Sequence, residues 1–304
     1  MKLHQLRILV AVQEGGSLQE ASKRLHITQP ALSRALKELE DELGVPLLIR
    51  SSKGVTPTPY GESLMKHARG ALESVRRAQQ DINDMKGETA LAVRLGVTSA
   101  ATTLEPVTDT VADFHLKYPK VKLTVLEQRP LQIQELLQQG ALDFAITSQI
   151  PSQSASMEWL PVCRLGMDVW IREGHPLGTV RSLRQLTDVT WLTQDSAENP
   201  HSTIRRLFEQ NGLALPQYLI ECNSSLMVRN LILKADALFM VIRSFMHAVE
   251  PDYLNGMRIL RLEEKIPDSI IGIVCQDQRL LTRTAANLLG LMRTGLLASY
   301  PRFE

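Results

Sequence analysis

Cysteine and aromatic residues are scarce in this sequence of 304 residues. The three cysteines, Cys163, Cys222 and Cys275, are separated by 59 and 53 residues, which excludes the disulfide framework of a small secreted protein. Each lies in an apolar, strand-like context. We therefore expect inert core thiols, since a redox pair would require two sulfurs that meet in space.

No charge of either sign is in excess, since 34 Lys and Arg face 33 Asp and Glu for a net charge of +1. Any contact with nucleic acid must therefore use a few placed cations. Long apolar runs are absent too, because Ala237–Ile242 and Ile270–Cys275 fall far below the roughly 18 residues of a membrane span. His4, Gln5 and Arg7 interrupt the N-terminal apolar region, so we expect no signal peptide, no membrane partner and a cytoplasmic location.

Catalytic motifs are missing as well. The sequence has no G-x-S-x-G, G-x-x-x-x-G-K-[ST], G-x-G-x-x-G or H-E-x-x-H pattern. Its histidines lack the spacing of metal ligands: His4, His26, His67, His115, His175, His201 and His247. We expect neither an enzyme nor a bound metal or cofactor.

What the first 60 residues do contain is the pattern of short helices joined by tight turns. Ser17–Glu20 has the S-x-x-E form of a capping box and predicts a helix that ends near His26. Thr28 is a good N-cap for the next helix, with Pro30 in its first turn. This order is typical of a helix-turn-helix.

The helix predicted from Gln29 to Leu43 has two distinct faces. Four leucines within an arc of about 60° predict a buried stripe: Leu32, Leu36, Leu39 and Leu43. The adjoining face carries amide, hydroxyl and cationic side chains: Gln29, Pro30, Ser33, Arg34 and Lys37. On spacing alone, two interpretations remain open. The helix reads bases in a DNA major groove, or the chain begins with an ordinary three-helix domain that has a solvated polar face.

A β-hairpin wing is predicted next. Val45–Arg50 forms its first strand, Ser51–Gly54 the polar turn, and Val55–Thr58 the returning strand. Arg50 and Lys53 lie near the tip, where cations are suited to phosphate contact.

One long helix is predicted from Pro59 to Met85. Apolar positions repeat at alternating intervals of four and three: Leu64, Ala68, Ala71, Val75, Ala78, Ile82 and Met85. This 3.5-residue repeat is typical of a coiled-coil seam and indicates a dimer, although an amphipathic helix packed on its own domain has the same pattern. We place a hinge at Lys86–Thr89, so domain 1–58 is followed by a linker helix and hinge at 59–89.

Residues 90–304 alternate strands and helices. The β-α-β-α-β order from Leu91 to Thr147 predicts a parallel sheet with helices on both faces, and a similar set follows. A strand at Ile270–Cys275 and a helix near Thr282–Ala298 return to the first sheet. The predicted fold is α/β with an N-terminal all-α winged helix-turn-helix. Two Rossmann-like subdomains, I (90–160 and 267–304) and II (161–266), enclose a ligand cleft.

A series of motifs supports a family resemblance. In the N-terminal part the matching positions are Ala21, Leu25, Thr28–Ser33, Leu39-Glu40, Leu43-Gly44, Leu47-Leu48, Arg50, Thr58 and Gly61. With them, Ser17–Gly61 resembles the winged helix-turn-helix of the LysR-type transcriptional regulators. Leu48, where the family commonly has Phe, and Pro59, where Ala or Glu is common nearby, are mild departures.

The C-terminal part resembles the effector domain of the same family. The motifs that carry this resemblance are Tyr118–Leu123, Gly140–Ile146 and Gly174–Leu177. They imply a type 2 periplasmic-binding-protein-like fold. Asp236 is a departure, because the family often has a glycine of a Gly-x-Gly turn there.

The loop Gly96–Thr103 joins the first strand of this domain to its helix and offers hydroxyls and backbone N–H groups to an anion. The resemblance implies effector contacts at Ser99, Ala100 and Thr102. Across the cleft we expect Gln128, Arg129, Thr147, His201, Ser202 and Asn223. Simple helix capping by Ser99 and Thr102, and a solvated Arg129, remain alternatives. The predicted effector is a small organic acid, aromatic acids included.

The sequence therefore predicts a homodimeric regulator, assembled further into a dimer of dimers, that binds double-stranded promoter DNA and, if it is an activator, RNA polymerase. Gln29, Ser33 and Arg34 read base edges, at the helix start set by Thr28 and Pro30. Lys37, Arg50 and Lys53 contact phosphates. The alternative is a soluble ligand-binding protein whose N-terminal helices mediate protein contacts.

Overall fold

A computed structural model describes residues 1–51, 54–86, 92–148, 157–199 and 202–300. The predictions for Lys53, His201 and the hinge at 87–89 lie outside the described residues. The same holds for the side chains of Arg50 and Met85.

The N-terminal domain has the predicted helices and wing. Its elements are α1 (Leu3–Gly15), α2 (Leu18–Leu25), α3 (Gln29–Leu43), β1 (Leu48–Ser51) and β2 (Gly54–Pro57). Leu32, Leu36 and Leu39 are fully buried among the residues of α1, α2 and the wing. The prediction of a buried Leu43 is wrong, since this side chain is 41% exposed. It is the last residue of α3, and Gly44 ends the helix there with a left-handed φ of +69°.

Three family positions acquire a physical role in fixing the wing. The Glu40 carboxylate accepts hydrogen bonds from the backbone N–H groups of Leu47 (2.7 Å) and Leu48 (3.2 Å), which ties β1 to α3. The Thr58 hydroxyl donates to Pro46 O at 2.7 Å. Gly61 lies so close to Leu47 O that a Cβ would stand 2.0 Å from that oxygen. Only glycine fits there without displacing the backbone.

The linker helix α4 (Pro59–Lys86) continues unbroken through Gly61 and Gly70. Its first part packs on its own domain, because Met65 and Ala68 are 2% and 1% exposed within a single chain. Ala68 therefore cannot face a second chain, and half-buried Leu64 packs on the same core. This corrects the start of the predicted seam.

Residues 92–300 form two α/β subdomains. The elements of subdomain I are β3 (Ala92–Val97), α5 (Ser99–Thr102), α6 (Glu105–Lys117), β4 (Lys122–Glu127), α7 (Pro130–Gln138), β5 (Phe144–Thr147), β6 (Glu158–Leu165), β12 (Ser269–Cys275) and α12 (Arg283–Ser299). The elements of subdomain II are β7 (Met167–Arg172), β8 (Thr190–Thr193), α8 (Thr203–Gln210), β9 (Tyr218–Glu221), α9 (Ser225–Ala235), β10 (Leu238–Ile242), α10 (Phe245–Ala248), α11 (Pro251–Leu254) and β11 (Met257–Leu260).

Each subdomain is built on one five-stranded sheet, with strand orders β4-β3-β5-β12-β6 and β11-β7-β10-β8-β9. In the first sheet β4, β3 and β5 are parallel as predicted, but β12 runs antiparallel to its neighbours. The first crossing, predicted at residue 160, lies later, because β6 stays paired with β12 up to Leu165. Subdomain II also contains β11, α10 and α11, which have no counterpart among the elements predicted from the sequence.

The second half of α4 is anchored to subdomain I by an ion-pair cluster of Glu73, Arg77, Arg94 and Asp143. Arg77, only 5% exposed, donates to Leu142 O at 2.9 Å and lies 3.3 Å from Glu73 and 3.5 Å from Asp143. Arg94 also pairs with Glu73, and its backbone N–H donates to Asp143 at 2.7 Å. Burial alone would raise the pKa of Glu73, but hydrogen bonds from Arg76 and Arg94 outweigh it and hold that pKa below its usual value.

Candidate nucleic-acid interface and ligand cleft

The N-terminal half of α3 presents the predicted polar face to solvent. Thr28 caps the helix by accepting from the Ala31 N–H at 3.4 Å. The turn before it is completed by His26, a non-glycine residue with a φ of +53° that ends α2. Five of the predicted contact residues are exposed and one is half-buried: Thr28, Gln29, Pro30, Arg34 and Lys37, with Ser33. The stretch from residue 29 to 37 is about 12 Å long and suits the width of a DNA major groove.

The cations of this face differ from their neighbours in being unpaired. In α2, Lys23 pairs with Glu20 at 2.8 Å and Arg24 with Glu14 at 2.7 Å. Within the described part of the chain, Arg34 and Lys37 make no ion pair. The near-neutral chain therefore keeps two available cations where a nucleic acid would lie.

A cavity of about 520 Å³ lies between the subdomains. Five predicted effector residues line it: Ser99, Ala100, Gln128, Arg129 and Asn223. They follow the carboxyl ends of β3, β4 and β9, the edge of an open α/β sheet where ligands bind.

Three other predicted effector residues lie outside this lining. Thr102 borders a neighbouring groove, and its hydroxyl donates to Ser99 O at 2.8 Å. Thr147 is buried at 3% exposure in β5. Ser202 is fully buried and caps α8 by accepting from the Arg205 N–H at 3.4 Å. The hydroxyls of Thr102 and Ser202 serve the fold, whereas the Thr147 hydroxyl is buried and has no hydrogen-bond partner among the described residues.

Three helices of eight or more residues begin at the cavity wall. Pro130 of α7, Thr203 of α8 and Ser225 of α9 are all first residues of their helices and all line the cavity. The positive ends of three helix dipoles therefore converge on one space. The Thr98 hydroxyl lies in the same wall, is buried and has no hydrogen-bond partner among the described residues.

The charges at the cavity are mixed. Arg129 faces Glu221 at 3.7 Å, so it is partly neutralised rather than simply solvated. Asp195, which sequence reasoning missed, also lines the cavity. Burial raises the pKa of Asp195, Arg129 opposes this effect and Glu221 adds to it. Its position just beyond the carboxyl end of β8 is the signal that could have identified it.

Hydrogen bonds connect the subdomains directly beside the cavity. Gln194 Nε2 donates to Ser99 Oγ at 3.2 Å, and the hydroxyls of Thr103 and Ser244 lie 2.9 Å apart. Because the Ser99 hydroxyl accepts this bond from Gln194, its own O–H can still donate to an acceptor on a ligand. Occupancy of the cavity is thereby linked to the contact between the subdomains.

Asp236, the departure from the family's glycine, lies at the C-cap of α9. It adopts a left-handed φ of +53°, which aspartate tolerates better than most residues. Its carboxylate pairs with Arg172, and its carbonyl oxygen lies 3.1 Å from His175 Nε2. Asp236 thus keeps the backbone conformation that glycine would supply, and it does not line the cavity.

The cysteines fall into two classes. Cys163 and Cys275 are 1% exposed, and burial raises their pKa values to about 11 and about 12, which makes both thiols unreactive. Cys222 departs from the expected core location, because it is half-buried in the loop that carries Asn223 to the cavity.

The described residues hold no cluster of three potential metal ligands. Nor do they include a helix long and apolar enough to span a bilayer.

Comparisons with known proteins agree across the whole chain. Residues 3–62 match the family described as "Bacterial regulatory helix-turn-helix protein, lysR family", and residues 86–296 match "LysR substrate binding domain". The HTH-type transcriptional regulator GbpR of Azospirillum brasilense is 27% identical over 298 residues, which cover 96% of this chain and 86% of GbpR. The HTH-type transcriptional regulator CysB of Burkholderia cenocepacia is 32% identical over 230 residues, 73% of this chain and 71% of CysB.

A solved structure shares the fold along its full length. ArgP from Mycobacterium tuberculosis superposes with a TM-score of 0.72 at 17% identity, covering 99% of this chain and 98% of ArgP. The domain matches, the curated relatives and the geometry of α3 and the cleft lead to one assignment. The chain belongs to the LysR family of DNA-binding transcriptional regulators, with an N-terminal helix-turn-helix and a C-terminal substrate-binding domain.

Proposed function

We propose that this regulator binds promoter DNA as a dimer under the control of a small organic acid held in the cleft. The main evidence for an acidic effector is that the N-termini of α7, α8 and α9 converge on one cavity that also contains Arg129. Their partial positive charges stabilise a carboxylate there. The hydroxyls of Thr98 and Ser99 supply further donors, and the apolar part of the lining admits aromatic acids as well as aliphatic ones.

The acid's negative charge affects Asp195. Burial already raises the pKa of Asp195, and the negative charge of a bound carboxylate nearby will raise it further. Asp195 therefore takes up a proton as the effector binds. Affinity for the acid should therefore be higher at low pH and fall as pH rises through the pKa of Asp195. Asp195→Asn should flatten this dependence and bind the acid at least as well at neutral pH. Steeper loss of affinity with pH in the variant would contradict this role.

For DNA, we propose that Gln29, Ser33 and Arg34 contact base edges and that Lys37 contacts phosphate. Arg50 and Lys53 of the wing are proposed phosphate contacts from sequence alone. The second half of α4 is the proposed dimer seam, since Ala71, Ala78 and Ile82 are exposed and Val75 is half-buried. A two-fold dimer places two α3 helices on successive major grooves. Two such dimers form the proposed tetramer.

The partners follow from this role. Promoter DNA places the protein in the bacterial cytoplasm, and an activating member would also contact RNA polymerase. Family membership favours this function over a ligand-binding protein whose N-terminal helices mediate protein contacts.

Calorimetric titration of the full chain with a panel of small organic acids and organic cations tests the proposal. We expect acids to bind, and Arg129→Gln to lower their affinity about tenfold or more. Arg283→Gln, at an exposed position on α12, is the control and should have no effect. Binding of organic cations alone would refute the acid. Gel shifts at several salt concentrations, with and without the bound acid, test the proposed sequence-selective DNA binding.

A further inference from the structure

The cavity does not stop at the cleft but continues beneath α9, inside subdomain II. Its deeper wall, here called the inner lobe, consists of Trp170, Val228, Ile232, Phe239, Phe245, Tyr253 and Met257. Trp170 of β7 and Phe239 of β10 are direct partners in the sheet and share the face that packs against α9. Four aromatic rings thus border one space in a chain whose aromatic content is 5%.

The lobe lies well inside the subdomain. Met167 and Ile242 pair at the strand ends that border the cleft, and Trp170 and Phe239 lie three residues away along the same strands, on the opposite face of the sheet. Three residues of strand span about 10 Å. A small molecule of that length reaches from the cleft to Trp170.

Trp170, which lines this lobe, carries an unused donor. The residue is 4% exposed, and its indole Nε1–H has no hydrogen-bond partner among the described residues. Trp191, in the neighbouring β8, shows the usual arrangement, because its Nε1–H donates to Leu186 O at 2.9 Å. A buried donor without a partner is costly, and a small turn of the Trp170 ring toward the lobe would let an acceptor on a bound molecule satisfy it.

Hydrogen bonds and a contact between two aromatic rings close the outer side of the lobe. The Tyr253 hydroxyl donates to Ser225 O at 2.7 Å, and its ring meets Phe245 edge-on at 5.8 Å. Arg229 is the charged residue of this wall, but its Nε donates to Tyr253 O at 2.7 Å and its Nη2 to Asn255 O at 3.4 Å. These contacts direct the guanidinium to the outer segment. The lobe therefore suits an uncharged body.

We propose that the effector has two parts: an acidic head in the cleft and an aromatic body in the inner lobe, with an oxygen acceptor on the ring facing Trp170 Nε1–H. The head rests on the function proposed above. The proposal of an aromatic body depends only on the inner lobe. Flat rings packed against aromatic walls gain both apolar burial and favourable ring contacts.

Three kinds of probe separate these two parts in titrations of the full chain. Acetate tests the head, toluene tests the lobe, and ω-phenylalkanoates from phenylacetate to 5-phenylpentanoate test both. We expect at least one phenylalkanoate to bind tenfold or more tightly than acetate, and toluene to compete with it. A para-hydroxyl on the best phenylalkanoate should improve binding severalfold.

Two lobe variants and one control locate the effect. Val228→Phe fills the lobe and should abolish toluene binding, lowering phenylalkanoate affinity to that of acetate. Leu226→Phe adds bulk to the same helix at a residue that is 64% exposed and outside the cavity lining, so it should change neither. Trp170→Phe keeps a ring but removes the N–H, so it should erase the para-hydroxyl gain and leave the plain phenylalkanoate bound. Melting curves and gel shifts establish that each variant folds.

The outcomes distinguish the two proposals. Phenylalkanoates that bind no better than acetate, with no toluene binding, would overturn the inner lobe and leave the acid intact. Toluene binding that Val228→Phe removes, without binding of any acid, would support the lobe and refute the acidic head. Absence of binding by every probe would overturn both.

Discussion

Replacing Arg77 by methionine should detach α4 from subdomain I while leaving both folded. The substitution keeps the apolar stem and removes the guanidinium, which is buried against Leu142 O, Glu73 and Asp143. Loss of the charged hydrogen bond to Leu142 O, made at 2.9 Å, costs about 1.5–3 kcal/mol.

The ion pairs add to this figure but do not double it. Removing one member of a buried pair typically costs about 3–5 kcal/mol, because a charge is left without compensation. Asp143 keeps the Arg94 N–H at 2.7 Å, and Glu73 keeps Arg76 and Arg94. We therefore expect a value near the lower limit, about 3 kcal/mol.

Native-state hydrogen exchange measures this value locally, which suits a multidomain chain better than a global melting curve. Amides of α4 near Glu73 and of the segment 142–145 should exchange roughly 100-fold faster in Arg77→Met. Arg76→Met is the matched control, since Arg76 pairs with the same Glu73 at 2.6 Å but its side chain is 44% exposed. It should cost less than about 1 kcal/mol. Equal acceleration in both variants would refute the argument from burial.

Three further predictions concern α3, Glu73 of the ion-pair cluster and Cys222. Arg34→Ala should cost about 1–3 kcal/mol at one base pair of the operator and relax specificity, whereas Lys37→Ala should weaken all sequences alike; equal losses on every sequence for both would contradict base reading. Because the pKa of Glu73 is lowered, its stabilising effect is complete above the usual value of 4.5 and is lost as pH falls through the lowered pKa. Glu73→Gln should therefore make exchange in α4 less sensitive to acid, and an unchanged acid response would exclude this linkage. Thiol labelling of the native protein should modify Cys222 first, and a cleft ligand should slow this labelling. Rapid labelling of the buried Cys163 and Cys275 would contradict this prediction.

The N-terminal domain was predictable because its signals are local. Ser17 and Thr28 do cap their helices as the pattern indicates, and the leucine stripe of α3 is buried up to Leu39. The predicted burial of Leu43 was wrong because hydrophobic periodicity shows which face of a helix a residue occupies, but not how far along the helix that face is covered by neighbouring residues.

The cleft was less predictable because its residues meet across long distances in sequence. Ser99 is followed 95 residues later by Gln194, and only the folded chain shows that they share a hydrogen bond. Ser202 has the same polar character as true lining residues, yet its capping hydrogen bond to α8 accounts for it. The inner lobe had no sequence signal, since Trp170 and Phe239 are typical strand residues until their shared face is known.

The two anchors of α4 have a mechanical consequence. Met65 and Ala68 belong to the core of the N-terminal domain, whereas Glu73 and Arg77 are held by subdomain I. Between the two pairs lies Gly70, whose side-chain position offers no bulky contact that would demand glycine. A helix interior is weakest at glycine, by about 0.5–1 kcal/mol relative to alanine. The helix therefore has its least stable interior position between the two anchors, and a reorientation of subdomain I relative to the N-terminal domain would bend it there.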